Sequence, residues 1–256
     1  MDIIPAIDLL NGKCVRLNQG NYNEVTNFNT DPIQQARTWE KQGAKRLHLV
    51  DLDGAKTGEP INDQTIKEIK KSISIPIQLG GGIRTADRAK ELFDIGIDRI
   101  ILGTIAIENP ELVRVLSSEY PKKIVVGIDA KEGMVATRGW LKRCEITSIE
   151  LAKQLNDLEL AAIVSTDIST DGTLKGPNIN ALREIAEISL NPVIASGGIG
   201  SIADLISLTV LENIGIEAVI VGRALYDGSI DLKEAQLTLK NLIIQDPIND
   251  KNKFVV

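Results

Sequence analysis

Cysteine and histidine are almost missing from this 256-residue chain: it has two cysteines, Cys14 and Cys144, and one histidine, His48. Two thiols make no disulfide framework, and with one imidazole they leave a zinc centre short of ligands, so metal-free chemistry is expected. Any apolar run approaching the length of a membrane-spanning helix, about 18 residues, is also lacking. The N-terminus enters a strand pattern without a basic stretch or cleavage site, so the expectation is a cytoplasmic protein with no membrane partner. Positive charge is not in excess: 29 Lys and Arg against 35 Asp and Glu give a net charge of −6. That is the wrong sign for a protein that grips many nucleic-acid phosphates. No stretch rich in Pro, Gly or Ser reads as a linker. One domain is therefore expected over 1–245, with halves of about 1–121 and 122–245, followed by a tail, 246–256.

What is present is a series of eight short, β-branched apolar runs: Ile3 to Ile7, Arg46 to Val50, Pro76 to Leu79, Arg99 to Leu102, Ile124 to Ile128, Ala162 to Thr166, Pro192 to Ala195 and Ala218 to Val221. Their hydrophobicity is continuous, as in strands buried on both faces. Between them lie helical patterns, among them Asp31 to Lys41, opened by Thr30-Asp31-Pro32, and Thr85 to Phe93. Others fit Ile61 to Ser72, Pro110 to Ser118, Ser148 to Leu158, Asn178 to Ile188, Ser201 to Leu211 and Leu232 to Leu242. Eight strands alternating with eight helices predict an α/β fold of the (β/α)8 TIM barrel type. A doubly wound open sheet fits less well, because the G-x-G-x-x-G fingerprint after the first strand is absent.

The chain also repeats itself. Ile77-Gln78-Leu79-Gly80-Gly81-Gly82-Ile83 followed by Ile100-Ile101-Leu102-Gly103-Thr104 returns as Val193-Ile194-Ala195-Ser196-Gly197-Gly198-Ile199 followed by Val219-Ile220-Val221-Gly222-Arg223. Upstream, Ile7-Asp8 echoes Ile128-Asp129. A repeat of half the chain predicts two half-barrels that place equivalent groups on opposite sides of one mouth. The glycine turns read either as simple βα closures or as phosphate cradles, in which bare N–H groups and a helix N-terminus meet an anion. Their pairing after strands three with four and seven with eight favours two phosphates: Gly81, Gly82, Gly103 and Thr104 for one, Gly197, Gly198, Gly222 and Arg223 for the other.

Asp8 and Asp129 read as turn caps singly, but as a facing pair they suit a reaction in which one carboxylate takes a proton and the other gives one. Thr166 ends strand six, and Asp171-Gly172 beyond it forms either a turn or a hydroxyl-binding site. Arg16 can hold an anion or stand solvated. His48 is either a hydrogen-bonded core residue or a substrate contact. Aromatics make up only 3% of the chain, so Trp140, in the loop after strand five, is a candidate platform for a planar base. The loops Asn18 to Asn29 and Lys131 to Arg143 are long and polar and are expected to close over substrate.

With those residues in view, the chain resembles the phosphoribosylformimino-aminoimidazole carboxamide ribonucleotide isomerases of histidine biosynthesis. The resemblance runs through Ile4-Pro5-Ala6-Ile7-Asp8-Leu9, Leu47 to Ala55, Gln78 to Arg84, Gly139-Trp140, Asp171 to Pro177, Val193 to Ile199 and Gly222 to Tyr226. It implies a cofactor-independent Amadori rearrangement of a bisphosphorylated aminoaldose, with Asp129 as general acid, Asp8 as general base and Thr166 assisting. It further implies that Trp140 stacks on the imidazole carboxamide and that Arg16 and Asp171 orient the substrate. No cofactor and no obligatory protein partner are implied. The sister cyclase of the pathway carries lysine after strand one, where this chain has Arg16. Two further readings stay open: a bifunctional isomerase that also accepts phosphoribosylanthranilate, and a metabolite-binding regulatory module.

Overall fold

The computed structural model describes residues 1–28 and 30–245; the expected tail, 246–256, lies outside them. In chain order its strands are β1 (Asp2–Leu10), β2 (Lys13–Asn18), β3 (Asn21–Asn27), β4 (Leu47–Asp51), β5 (Ile77–Gly80), β6 (Arg99–Leu102), β7 (Ile124–Lys131), β8 (Met134–Thr137), β9 (Lys142–Thr147), β10 (Ala162–Asp167), β11 (Val193–Ser196) and β12 (Ile216–Val221). Eight of them pair in parallel in the order β10, β11, β12, β1, β4, β5, β6, β7, and the pairing of β7 with β10 closes the ring. With helices between the strands this is a TIM barrel.

Parity along each strand divides the side chains between two cores, because successive residues point to opposite faces. On β1, Ile3, Ile7 and Leu9 join the large cluster between sheet and helices, whereas Ile4 and Ala6 belong to a small cluster inside the barrel with Val125, Val164, Ile194, Ala218 and Ile220. Continuing the inner row gives Ile4, Ala6, Asp8 on β1, Val125, Gly127, Asp129 on β7 and Ala162, Val164, Thr166 on β10. The apolar layers therefore end in polar groups at the C-terminal mouth.

The helices start where short polar side chains can satisfy exposed N–H groups. Asp31 accepts from Gln34 N at the start of Pro32–Lys41, Thr85 from Arg88 N at the start of Ala86–Asp94, and Thr147 and Ser201 form capping boxes with Glu150 and Asp204. Three short helices fall outside the expected eight: Leu52–Thr57, Thr104–Glu108 and Arg223–Tyr226. The last two follow β6 and β12 at once, behind the glycine turns.

The two segments expected to be loops are mostly strands. β2 and β3 form one antiparallel hairpin on β1, and β8 and β9 form another on β7. Their two-residue turns, Asn11-Gly12, Gln19-Gly20 and Glu132-Gly133, each have both residues at positive φ. That is the type I′ geometry whose twist matches the flanking strands, and Asn-Gly is its strongest sequence signal.

Candidate active site

A cavity of about 200 Å³ opens at the C-terminal mouth and is walled by residues spread along the chain from Asp8 to Ile220. Asp8, Asp129, Thr166 and Asp171 all line it, together with Arg16, His48, Gly81, Gly82, Gly103, Thr104 and Trp140. The sheet register sets much of this: Asp129 stands beside Thr166 across the β7–β10 ladder, and Thr166 beside Ser196 across β10–β11.

The two aspartates have different surroundings. Asp8 is buried and accepts from Arg16 Nη1 at 2.5 Å, an ion pair between strands that are neighbours in the β1–β2 ladder. Among the described residues Asp129 has no cationic partner; its Oδ2 accepts from Trp140 Nε1 at 2.8 Å. Burial raises the pKa of Asp129, and hydrogen bonds from Trp140 and Thr166 only partly oppose the rise. Asp171 is pushed up to about 6, mainly by burial, with the Arg16 charge opposing and Asp8 and Asp129 reinforcing. Arg16 is held firmly protonated: the pull of Asp8 and Asp171 outweighs its own desolvation.

His48 is pushed down to about 3 by burial and by the Arg16 charge, so it is neutral at physiological pH. Its Nδ1 pairs with Gln78 Nε2 at 2.9 Å across the β4–β5 ladder. It is thus both hydrogen-bonded in the interior and part of the cavity wall. Asp51 has the opposite parity to His48 and points outward. It caps the helix Leu52–Thr57 through Gly54 N and accepts from Asn62 Nδ2 at 2.6 Å.

The two sets of glycine turns expected to cradle phosphate differ. Gly81, Gly82 and Gly103 are half-exposed and face the cavity. Gly81, at φ +106°, packs so closely on the end of β4 that a Cβ would lie 2.1 Å from Asp51 O. Thr104 Oγ1 accepts from Arg138 N at 2.9 Å, which ties the second hairpin to this cradle. Gly172, Gly197, Gly198 and Gly222 are buried and, like Arg223, lie outside the cavity wall. The Arg16 guanidinium covers Gly222, where a Cβ would lie 1.7 Å from Nη2, and Arg223 Nη1 donates to Gly172 O at 2.7 Å.

The structure adds cavity residues that the sequence reading did not single out. Arg84, two residues beyond Gly82, lines the wall and donates to Ala55 O at 3.2 Å; an arginine directly after a phosphate-type turn was its available signal. Gly20, Tyr22 and Arg138 come from the hairpins, and only the hairpin geometry brings them there. Among the described residues, no group of three or more His, Cys, Asp or Glu side chains is arranged to hold a metal ion. No helix there is long and apolar enough to cross a membrane.

Comparison with known proteins adds to this geometry. The family described as histidine biosynthesis protein matches residues 2–231. A protein of Prochlorococcus marinus strain NATL2A is 82% identical over 256 residues, covering all of both chains, and is named a 1-(5-phosphoribosyl)-5-((5-phosphoribosylamino)methylideneamino) imidazole-4-carboxamide isomerase. Proteins of the same name from P. marinus strain NATL1A and Synechococcus sp. strain CC9311 are 81% and 60% identical, again covering all of each chain.

Proposed function

The chain belongs to the histidine biosynthesis protein family and acts as an isomerase on a phosphoribosyl substrate; we propose that it does so by an Amadori rearrangement carried by Asp8 and Asp129, without a cofactor. The reaction turns the phosphoribosylformimino-aminoimidazole carboxamide ribonucleotide, an aminoaldose, into the phosphoribulosyl aminoketose. The observation that carries this mechanism is one cavity walled by both carboxylates, Asp8 ion-paired with Arg16 and Asp129 hydrogen-bonded by Trp140.

Asp129 suits the acid role because burial favours its protonated form, so it can give a proton to the ribose ring oxygen and open the ring to a Schiff base. Asp8 takes the C2 proton, leaving an enolamine that tautomerises to the ketone with no net gain or loss of atoms. Thr166 steadies Asp129, the Trp140 face supplies the surface for the imidazole carboxamide, and Arg16 and Asp171 orient the sugar. One phosphate sits at Gly81, Gly82, Gly103 and Thr104. The other is assigned to Gly197, Gly198, Gly222 and Arg223; the Arg16 guanidinium covers Gly222 in this structure, so that side chain has to swing off the turn to admit the phosphate.

The half-barrel organisation, about 1–121 and 122–245, is supported by matched contacts: Asn62 Nδ2 donates to Asp51 at 2.6 Å and Asn178 Nδ2 to Asp167 at 2.7 Å, each pair eleven residues apart. The deciding experiment is an absorbance assay of the purified protein with the aminoaldose. Conversion to the ketose is expected; binding without spectral change would make the protein a binding module instead. A parallel assay with phosphoribosylanthranilate separates a single-substrate isomerase from a dual one.

A further inference from the structure

The two hairpins meet over the cavity through a reciprocal pair of glycines. Gly20, in the turn between β2 and β3, lies against the Trp140 ring so closely that a Cβ would fall 2.1 Å from Cε3. Gly139, next to Trp140, faces Tyr22 in return: a Cβ there would fall 2.9 Å from Oη, and the same hydroxyl donates to Leu52 O at 3.1 Å. The indole is therefore clamped. Its ring rests on the turn of the first hairpin while its Nε1 donates to Asp129 Oδ2, on the opposite side of the barrel.

Backbone strain alone would explain a glycine at position 20, since φ is +71°. It does not explain the contact. Gly133 occupies the same kind of turn between β7 and β8, at φ +76°, and nothing lies within 4 Å of a Cβ built on it. The two positions share the conformational demand and differ in what a methyl group would meet.

We propose that Gly20 is a positioning residue: by presenting no side chain it seats the Trp140 indole on Asp129, so the first hairpin aims a carboxylate that belongs to the other half. The seating of the ring stands on geometry; its effect on turnover rests on the role proposed for Asp129. A methyl group at position 20 needs about 3.5 Å from the ring carbons, so the indole must move by more than an ångström and the Asp129 hydrogen bond breaks. Misplacement on that scale beside a reacting group costs up to about a hundredfold in rate.

Two experiments test this. The chain has two tryptophans, Trp39 and Trp140, so in a Trp39→Phe background the emission reports Trp140 alone. Gly20→Ala is expected to change that emission and Gly133→Ala to leave it as it was; unchanged emission in Gly20→Ala overturns the seating. In kinetics, Gly20→Ala is expected to lower kcat/KM about tenfold or more through kcat as well as KM, with Gly133→Ala within about twofold of the parent. The double-mutant cycle decides the route: in a Trp140→Ala chain, adding Gly20→Ala is expected to cost nothing further. A loss of equal size with and without Trp140 overturns the proposal. A parent protein that fails to turn over the aminoaldose sinks the isomerase mechanism but leaves the emission test of the seating intact.

Discussion

At the residue scale, the candidate chemistry follows from strand parity. Asp8 continues the inner row Ile4, Ala6 and Asp129 the inner row Val125, Gly127, so both carboxylates reach the cavity without any loop rearrangement. Asp51, also at a strand end, has outward parity and caps a helix. The pairing of Asp8 with Asp129 was legible because it needs only alternation and a repeat. Arg84 and Gly20 were hidden because their places depend on turn geometry. Replacing Asp8 or Asp129 by Asn is expected to lower kcat by at least about a hundredfold while KM stays within a few-fold, since proton transfer is lost and the glycine turns proposed to hold the phosphates are untouched. Steady-state kinetics check it, and near-parental turnover by either variant removes that residue from the mechanism. Asp171 offers a test through stability. Its folded pKa, about 6, lies above the unfolded value, so the proton retained in the fold stabilises it at low pH, and that contribution is lost as pH climbs through about 6. An Asn at 171 is neutral throughout. The Asp171→Asn variant should therefore melt with the parent at pH 4 and above it at pH 8; a melting-temperature gap that does not widen with pH refutes the assignment.

At the scale of elements, the barrel strands and their helices were readable, and the hairpins were not. Continuous apolar runs mark strands buried on both faces, whereas β3, with the pattern Asn21-Tyr22-Asn23-Glu24-Val25-Thr26-Asn27, is almost wholly exposed and carries no such signal. The informative marks were the Asn11-Gly12 and Glu132-Gly133 turns, which specify hairpins more directly than the polar residues around them specify loops. The glycine cradles show a second limit. Their repeat in sequence predicts two similar sites, but one faces the cavity and the other lies beneath Arg16, a side chain from the first hairpin with no need to obey the repeat. Gly81 ties the first cradle to the fold itself, because a Cβ there meets the Asp51 carbonyl, which is backbone and cannot swing away. Gly81→Ala is expected to cost about 2 kcal/mol or more, from overpacking together with an unfavourable positive φ. Urea unfolding measures it, and a variant as stable as the parent would show that β4 and the cradle yield more easily than the packing indicates.

At the scale of the whole molecule, the ring is closed by contacts that cross the proposed division near residue 121. β1 pairs with β12 from Asp2 to Pro5, β6 with β7 from Ile100 to Leu102, and the N-terminal ammonium meets Glu212 at 2.6 Å. Cutting the chain at that division leaves each half with two unpaired parallel edges and an uncovered inner face, a template for association. It also puts Asp8 and Arg16 in one piece and Asp129, Thr166 and Trp140 in the other. Neither fragment, 1–121 or 122–256, should then turn over the aminoaldose alone, and each should self-associate through its open edges. Mixed at equal concentration and refolded together, they should recover activity, because the β1–β12 and β6–β7 ladders and the Gly20–Trp140 contact re-form only across the cut. Size-exclusion chromatography with the absorbance assay reads both parts. Turnover by one fragment alone would mean that a single half holds a complete acid–base pair, and the mechanism that divides acid and base between the two halves would fall.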